Sequence, residues 1–203
     1  AEGDGEARAE RRAKAWLHLA ELELNLANPA EATQALGIAL GHDADCVPAR
    51  ILGAVLADQR GDLPAAIGHL EHLDRRLHDR DGSDEPAESS LLLRQLASLH
   101  ERTGDHGQAG RCWDRIRAEV GDDPTYRADH AAFRLRHGEA GAVTEAEAVL
   151  AALPATLPEG QRLLRELAIA RANQSGAEAA LAVLRPRLAD LGTANRLLFA
   201  QLA

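Results

Sequence analysis

Aromatic residues make up only 2% of this chain of 203 residues, and methionine is absent. An interior cannot be built here on large rings, so the 45% of hydrophobic residues must pack as alanine, leucine, valine and isoleucine. Small contacts of this kind let helices approach closely. Two cysteines, Cys46 and Cys112, stand far apart with no metal-type spacing, which points to ordinary thiols rather than a disulfide framework or a zinc site. Lys14 is the only lysine, and with acidic residues in excess the net charge is -9. Such a balance argues against nucleic acid as a partner, because affinity for it comes mostly from phosphate neutralisation. No apolar run approaches the roughly 18 to 20 residues that a membrane-spanning helix needs. The chain opens at Ala1 without an initiator methionine, so a processed or trimmed start is expected, and the sequence assigns no compartment.

What is present is a repeat. Ala32 and Ala66 stand 34 residues apart, each just after a turn-forming group and each opening an apolar run. Each unit therefore reads as helix, tight turn, helix. One such pair cannot bury its apolar face alone, so pairs must stack, and a period of this length implies a helical solenoid. The expectation is an all-α, right-handed solenoid of about five antiparallel helix pairs with a final helix, forming one domain over residues 1–203. Its units cover about 13–46, 47–80, 90–123, 124–156 and 160–192, with a terminal helix at 193–203.

Local signals fill in these units. Residues 1–10 are charged and contain glycine, so helix is expected from about Arg8. Asn28 is expected to cap the second helix, with Pro29 in its first turn and Glu31 placed for a capping box. Gly61-Asp62 and Gly104-Asp105 mark turns inside the second and third units. The fourth unit is ambiguous by one residue, because Gly138 and Ala132 cannot both fit the template. Pro186 should kink or end its helix near Leu184. In the final helix Leu197, Leu198, Phe199 and Leu202 have nothing after them to cover, so either the natural chain continues past Ala203 or this end meets another subunit.

Residues 79–89 interrupt the period as an acidic insertion. Turn chemistry reads it as a solvated loop in which Asp84 caps the next helix. The alternation of Asp79, Asp81, Ser83 and Glu85 suggests a calcium loop. That reading needs glycine where Asp84 stands and a bidentate glutamate where Ser90 stands.

The units resemble those of the tetratricopeptide repeat (TPR) family, with a bulky residue early in the first helix, Leu-Gly or Leu-Ala mid-helix, Gly-Asp at the turn and a small residue opening the second helix. Trp16 with Leu19-Ala20 and Ala32, Gly61-Asp62 with Ala66, Leu96-Ala97 with Gly104-Asp105 and Ala109, and Leu167-Ala168 with Ala180 carry the likeness. It covers nearly the whole chain and is best over 13–120. Glu23, Ala57, His100 and Arg171 replace the family's mid-helix aromatic, so the later repeats are degenerate.

The resemblance implies a concave groove lined by first helices and a protein or peptide partner. Projected onto this chain, the groove takes Lys14, Leu17, Glu21 and Asn25 from the first unit and Ile51, Val55 and Gln59 from the second. The third unit adds Leu91, Arg94, Ser98 and Arg102, and later units add Arg136, His137, Arg162, Arg165 and Asn173. One end is apolar and the other arginine-rich, which suits a segment with an apolar and an acidic part. The same arginines also read as partners of the chain's own carboxylates. The family's clamp for chaperone carboxylates needs Lys and Asn where Leu17 and Glu21 stand.

Enzymatic motifs are lacking. There is no Gly-x-Ser-x-Gly and no glycine cluster after a strand-like run, while Cys112 and His106 fall on different faces of one helix. His69 and His72 are one turn apart and could share an ion, but no His-Glu-x-x-His order supports it. No cofactor is expected. A non-catalytic interaction scaffold is the leading expectation. The alternatives are the docking arm of a larger enzyme, such as a transferase, and self-association through the last helix.

Overall fold

The computed structural model describes residues 2–79, 86–121, 123–154 and 156–203, with the side chains of 2–4, 78–79 and 86–88 left aside. The expected capping by Asp84 and the calcium reading fall outside the described residues. Among the described residues there are eleven α-helices and one 3-10 segment, and no strand. They form two compact units, residues 1–119 and 120–203.

The first unit holds α1 (Glu2–Asn25), α2 (Pro29–His42), α3 (Val47–Gln59), α4 (Leu63–Asp79), α5 (Pro86–Thr103) and α6 (His106–Val120). They pair α1 with α2 and α3 with α4, while α2 also packs on α3 and α4 on α5, and Ser89 of α5 donates to Glu119 of α6 at 3.1 Å. Two boundaries differ from the sequence reading. Helix begins at Glu2 rather than near Arg8, and α5 begins at Pro86, four residues before Ser90, because proline fits a first helical turn.

The turns show how a local rule builds each pair. At Asp62, Asp105 and Glu139 the amide donates back to the carbonyls of Ala57, His100 and Arg134, at 2.9, 2.9 and 3.1 Å. The preceding glycines, Gly61, Gly104 and Gly138, have φ of +75°, +81° and +65°. This is the Schellman ending, which needs a residue in the left-handed region. The first pair makes the same bond, Asn28 to Glu23 at 2.8 Å, but puts Ala27 at φ +61°. A Cβ there costs about 1–2 kcal/mol, partly offset by the unfolded-chain entropy that glycine adds. Ala27→Gly is thus expected to stabilise the chain by about 0.5–1 kcal/mol, read as a higher urea midpoint.

The capping expectation at Asn28 is corrected. Its side chain makes no cap bond; the amide is turned back to donate to Glu23 Oε2 at 2.9 Å. Asp62 and Asp105 do cap, their Oδ1 atoms accepting from the amides of Ala65 (3.2 Å) and Gln108 (3.0 Å).

The second unit holds α7 (Pro124–Arg136), α8 (Ala142–Ala152), α9 (Pro158–Ser175), α10 (Ala177–Leu184), the 3-10 segment Arg185–Asp190 and α11 (Thr193–Leu202). Asp123 caps α7 by accepting from the amides of Thr125 and Tyr126. Pro186 ends α10 at Leu184, and Arg187 leaves helical geometry at φ -116°, ψ 16°. Its guanidinium donates to the carbonyl of Leu150 at 2.7 Å, in the last turn of α8, where carbonyls lack helical partners. The ambiguous fourth unit resolves with Ala146 in the small position. Ala32, Ala66, Ala109, Ala146 and Ala180 are all fully buried, as close helix packing requires.

Candidate binding cleft

The site starts from the pattern of α3. Ala49, Gly53, Ala54, Leu56 and Ala57 form its buried face, so Val47, Ile51 and Val55, spaced by one turn, fall on the other side and are exposed. On α5 the exposed Leu91 stands beside Leu92, which is buried. Between the two helices lies a cleft of about 380 Å³ lined by Val47, Ile51, Leu91, Leu92 and Gln95, with Leu70, Leu73 and Leu77 of α4 as its floor.

Among the described residues Arg76 is the one charged group lining this cleft, and it is tied down. Its Nη1 donates to the carbonyl of Asp45 at 3.0 Å and lies 3.3 Å from the carboxylate. His72 Nε2 meets the other carboxylate oxygen of Asp45 at 2.7 Å. The His72 contact, helped by Arg76, holds the Asp45 carboxyl below its ordinary range.

Of the residues expected in a groove, the structure brings Ile51 and Leu91 together in this cleft, with Val55 and Gln59 continuing the same exposed face of α3. Leu17 is only 6% exposed and packs into the core of α1, α2 and α3, so it is not offered to a ligand. Glu21 is exposed and meets His18 at 3.2 Å; Asn25 is exposed, and Lys14 bonds Glu10 at 2.7 Å. Val47, Leu70, Leu73 and Leu77 were not expected. Only Val47 carried a sequence signal, lying four residues before Ile51.

The arginines are engaged by the chain itself. In the first unit Arg102 meets Asp58 at 2.5 Å, while Arg94 is half-buried and Ser98 exposed. In the second unit Arg162 lies 3.2 Å from Asp129 and 3.3 Å from Glu159, and Arg136 and Arg165 each stand 3.9 Å from Glu166. Arg162 and Arg165 also line a small recess of about 160 Å³ at the start of α11. His137 packs its ring 4.7 Å from Phe133, and Asn173 is exposed.

His69 and His72 serve different partners. A Cβ on Gly53 would lie 2.7 Å from His69 Nε2, so that glycine leaves room for the imidazole. Burial, with the charges of Arg50, His72 and Arg60, pushes the His69 pKa down. Among the described residues no group of three or more His, Cys, Asp or Glu is placed to hold a metal ion. Both cysteines are free and buried, and burial raises the Cys112 thiol to about 11, which leaves almost no thiolate at neutral pH. No helix of the described residues is long and apolar enough to cross a membrane.

No family model and no curated protein matches the chain. Solved structures do. YrrB, described as a TPR protein with an unusual peptide-binding site, is 15% identical over 92% of this chain and 89% of its own, with a TM-score of 0.62. A tetratricopeptide repeat protein from Parabacteroides merdae is 11% identical over 95% of this chain and 72% of its own, with a TM-score of 0.70. The fold is thus the TPR-like helical repeat fold.

Proposed function

We propose that the chain is a non-catalytic interaction module that holds a protein segment by its apolar side chains in the cleft between α3 and α5. The observation that carries this reading is the exposure of Val47, Ile51 and Leu91 around one concavity whose floor is leucine. Large apolar side chains gathered on a surface mark a site of association. At about 380 Å³ the cleft lies toward the small end of ligand pockets, which run from about 300 to 1,000 Å³. It suits a few aliphatic anchors of a peptide or partner helix. The peptide-binding site described for YrrB, which shares the fold, supports the same reading.

Peptides selected from a random library on the full chain test it. Ile51→Asp and Leu91→Asp are expected to weaken the selected peptides by about 10- to 100-fold, since each desolvated anchor is worth about 1.5–3 kcal/mol. Both positions are exposed, so the thermal midpoint should stay in place. Peptides that bind both variants undiminished would remove the cleft from consideration.

A further inference from the structure

Leu22, Leu56 and Leu99 occupy one position in three successive units, at 34 and then 43 residues, as do the turn residues Ala27, Gly61 and Gly104. Leu56 and Leu99 are 2% and 6% exposed, but Leu22 is 58% exposed. Leu56 is covered by the alanine-rich core of the preceding pair, Ala32, Ala35, Leu36 and Ala39 among it. The outer face of α1 is therefore built like an internal helix interface, with none of the described residues covering Leu22. Leu19 and Leu26 are exposed beside Leu22; Arg12, Ala15, Leu19 and Leu22 follow at spacings of three and four along α1, and Leu26 continues the stripe just past its end, its amide donating to the carbonyl of Leu22 at 3.0 Å.

We propose that this face of α1 docks an amphipathic helix of another protein, one that presents leucine-like residues to Leu19, Leu22 and Leu26 and carboxylates to Arg11 and Arg12. Charge selects the occupant. Arg11 and Arg12 are exposed at one end of the stripe, and Glu23 at its edge is already bonded by Asn28 at 2.9 Å. A second copy fits poorly. Two α1 helices paired in parallel would set Arg12 against Arg12, and paired antiparallel through their leucines they would carry the arginines past Leu26 to a turn where the Glu23 carboxylate is already bonded by Asn28. A lipid surface fits poorly too. The face has no aromatic residue, and a chain of net charge -9 is repelled by anionic headgroups. This site is separate from the α3–α5 cleft and does not rest on it.

The test uses the full chain and synthetic helical peptides about three heptads long, with leucine at the seam and glutamate in either the first or the last heptad. Each has a counterpart with lysine in place of glutamate. In fluorescence anisotropy one glutamate peptide is expected to bind, and its lysine counterpart about tenfold or more weaker. Leu22→Asn, and separately Arg11→Glu with Arg12→Glu, should each reduce the glutamate peptide's affinity by about tenfold or more, and the arginine variant should recover the lysine peptide. Ile51→Asp should leave this affinity unchanged. Three results would overturn the proposal: equal binding by wild type and variants, binding to phosphatidylserine vesicles with none to the peptides, or dimerisation in sedimentation that Leu22→Asn removes.

Discussion

Leu56→Ala is expected to cost about 3 kcal/mol, within the roughly 2–5 kcal/mol that large-to-small changes cost in a packed core. Leu22→Ala, the same position one unit earlier, is expected to change stability by no more than about 0.5 kcal/mol. Leu56 lies in one cluster with Leu17, Ala20, Ala32 and Leu36, so truncation removes apolar contacts and leaves a void bounded by α1, α2 and α3. Leu22 has no such lining. Equilibrium urea denaturation followed by far-UV circular dichroism measures both. Equal effects of the two substitutions would mean that the outer face of α1 is covered in the folded chain.

Ala66→Leu is expected to destabilise by about 1–3 kcal/mol through the opposite mechanism, overpacking. Ala66 is fully buried on α4, a helix that packs on both α3 and α5, and its amide donates to the carbonyl of Asp62, so the backbone there is held by the turn. Extra methylenes must push neighbouring helices apart or force strained rotamers. The loss should appear in urea titration and as faster hydrogen exchange in α3 and α5. An unchanged midpoint would show that this position tolerates volume, contrary to its role as a close contact.

Much of the fold was legible because its rules are local. The buried alanines recur at a helical-pair period, Gly61 and Gly104 end first helices in a conformation that suits glycine, and Pro186 stops α10 at Leu184. Asn28 shows the limit even of local reading: a residue type that favours caps was drawn back to Glu23 instead. Part of the candidate cleft was legible as well, since Ile51 and Leu91 are exposed and line it together.

The rest depended on what stands opposite each residue. Leu17 and Ile51 are 34 residues apart and equivalent by pattern, yet one is 6% and the other 47% exposed. The arginines were visible as charge, but their partners Asp58, Asp129, Glu159 and Glu166 were not, because an ion pair between helices leaves no periodic trace. The floor of the cleft comes from Leu70, Leu73 and Leu77 of α4, whose apolar spacing reads as ordinary core.

The sequence by itself determined that this chain is helical, repeats in pairs and packs on alanine, because backbone propensity, turn conformation and side-chain volume act within a few residues of one another. Only the tertiary structure decided which equivalent leucines are buried, which arginines are engaged and where the surface stays apolar. Burial and ion pairing are properties of two elements brought together, and equivalent residues part company when only one of them has a neighbour.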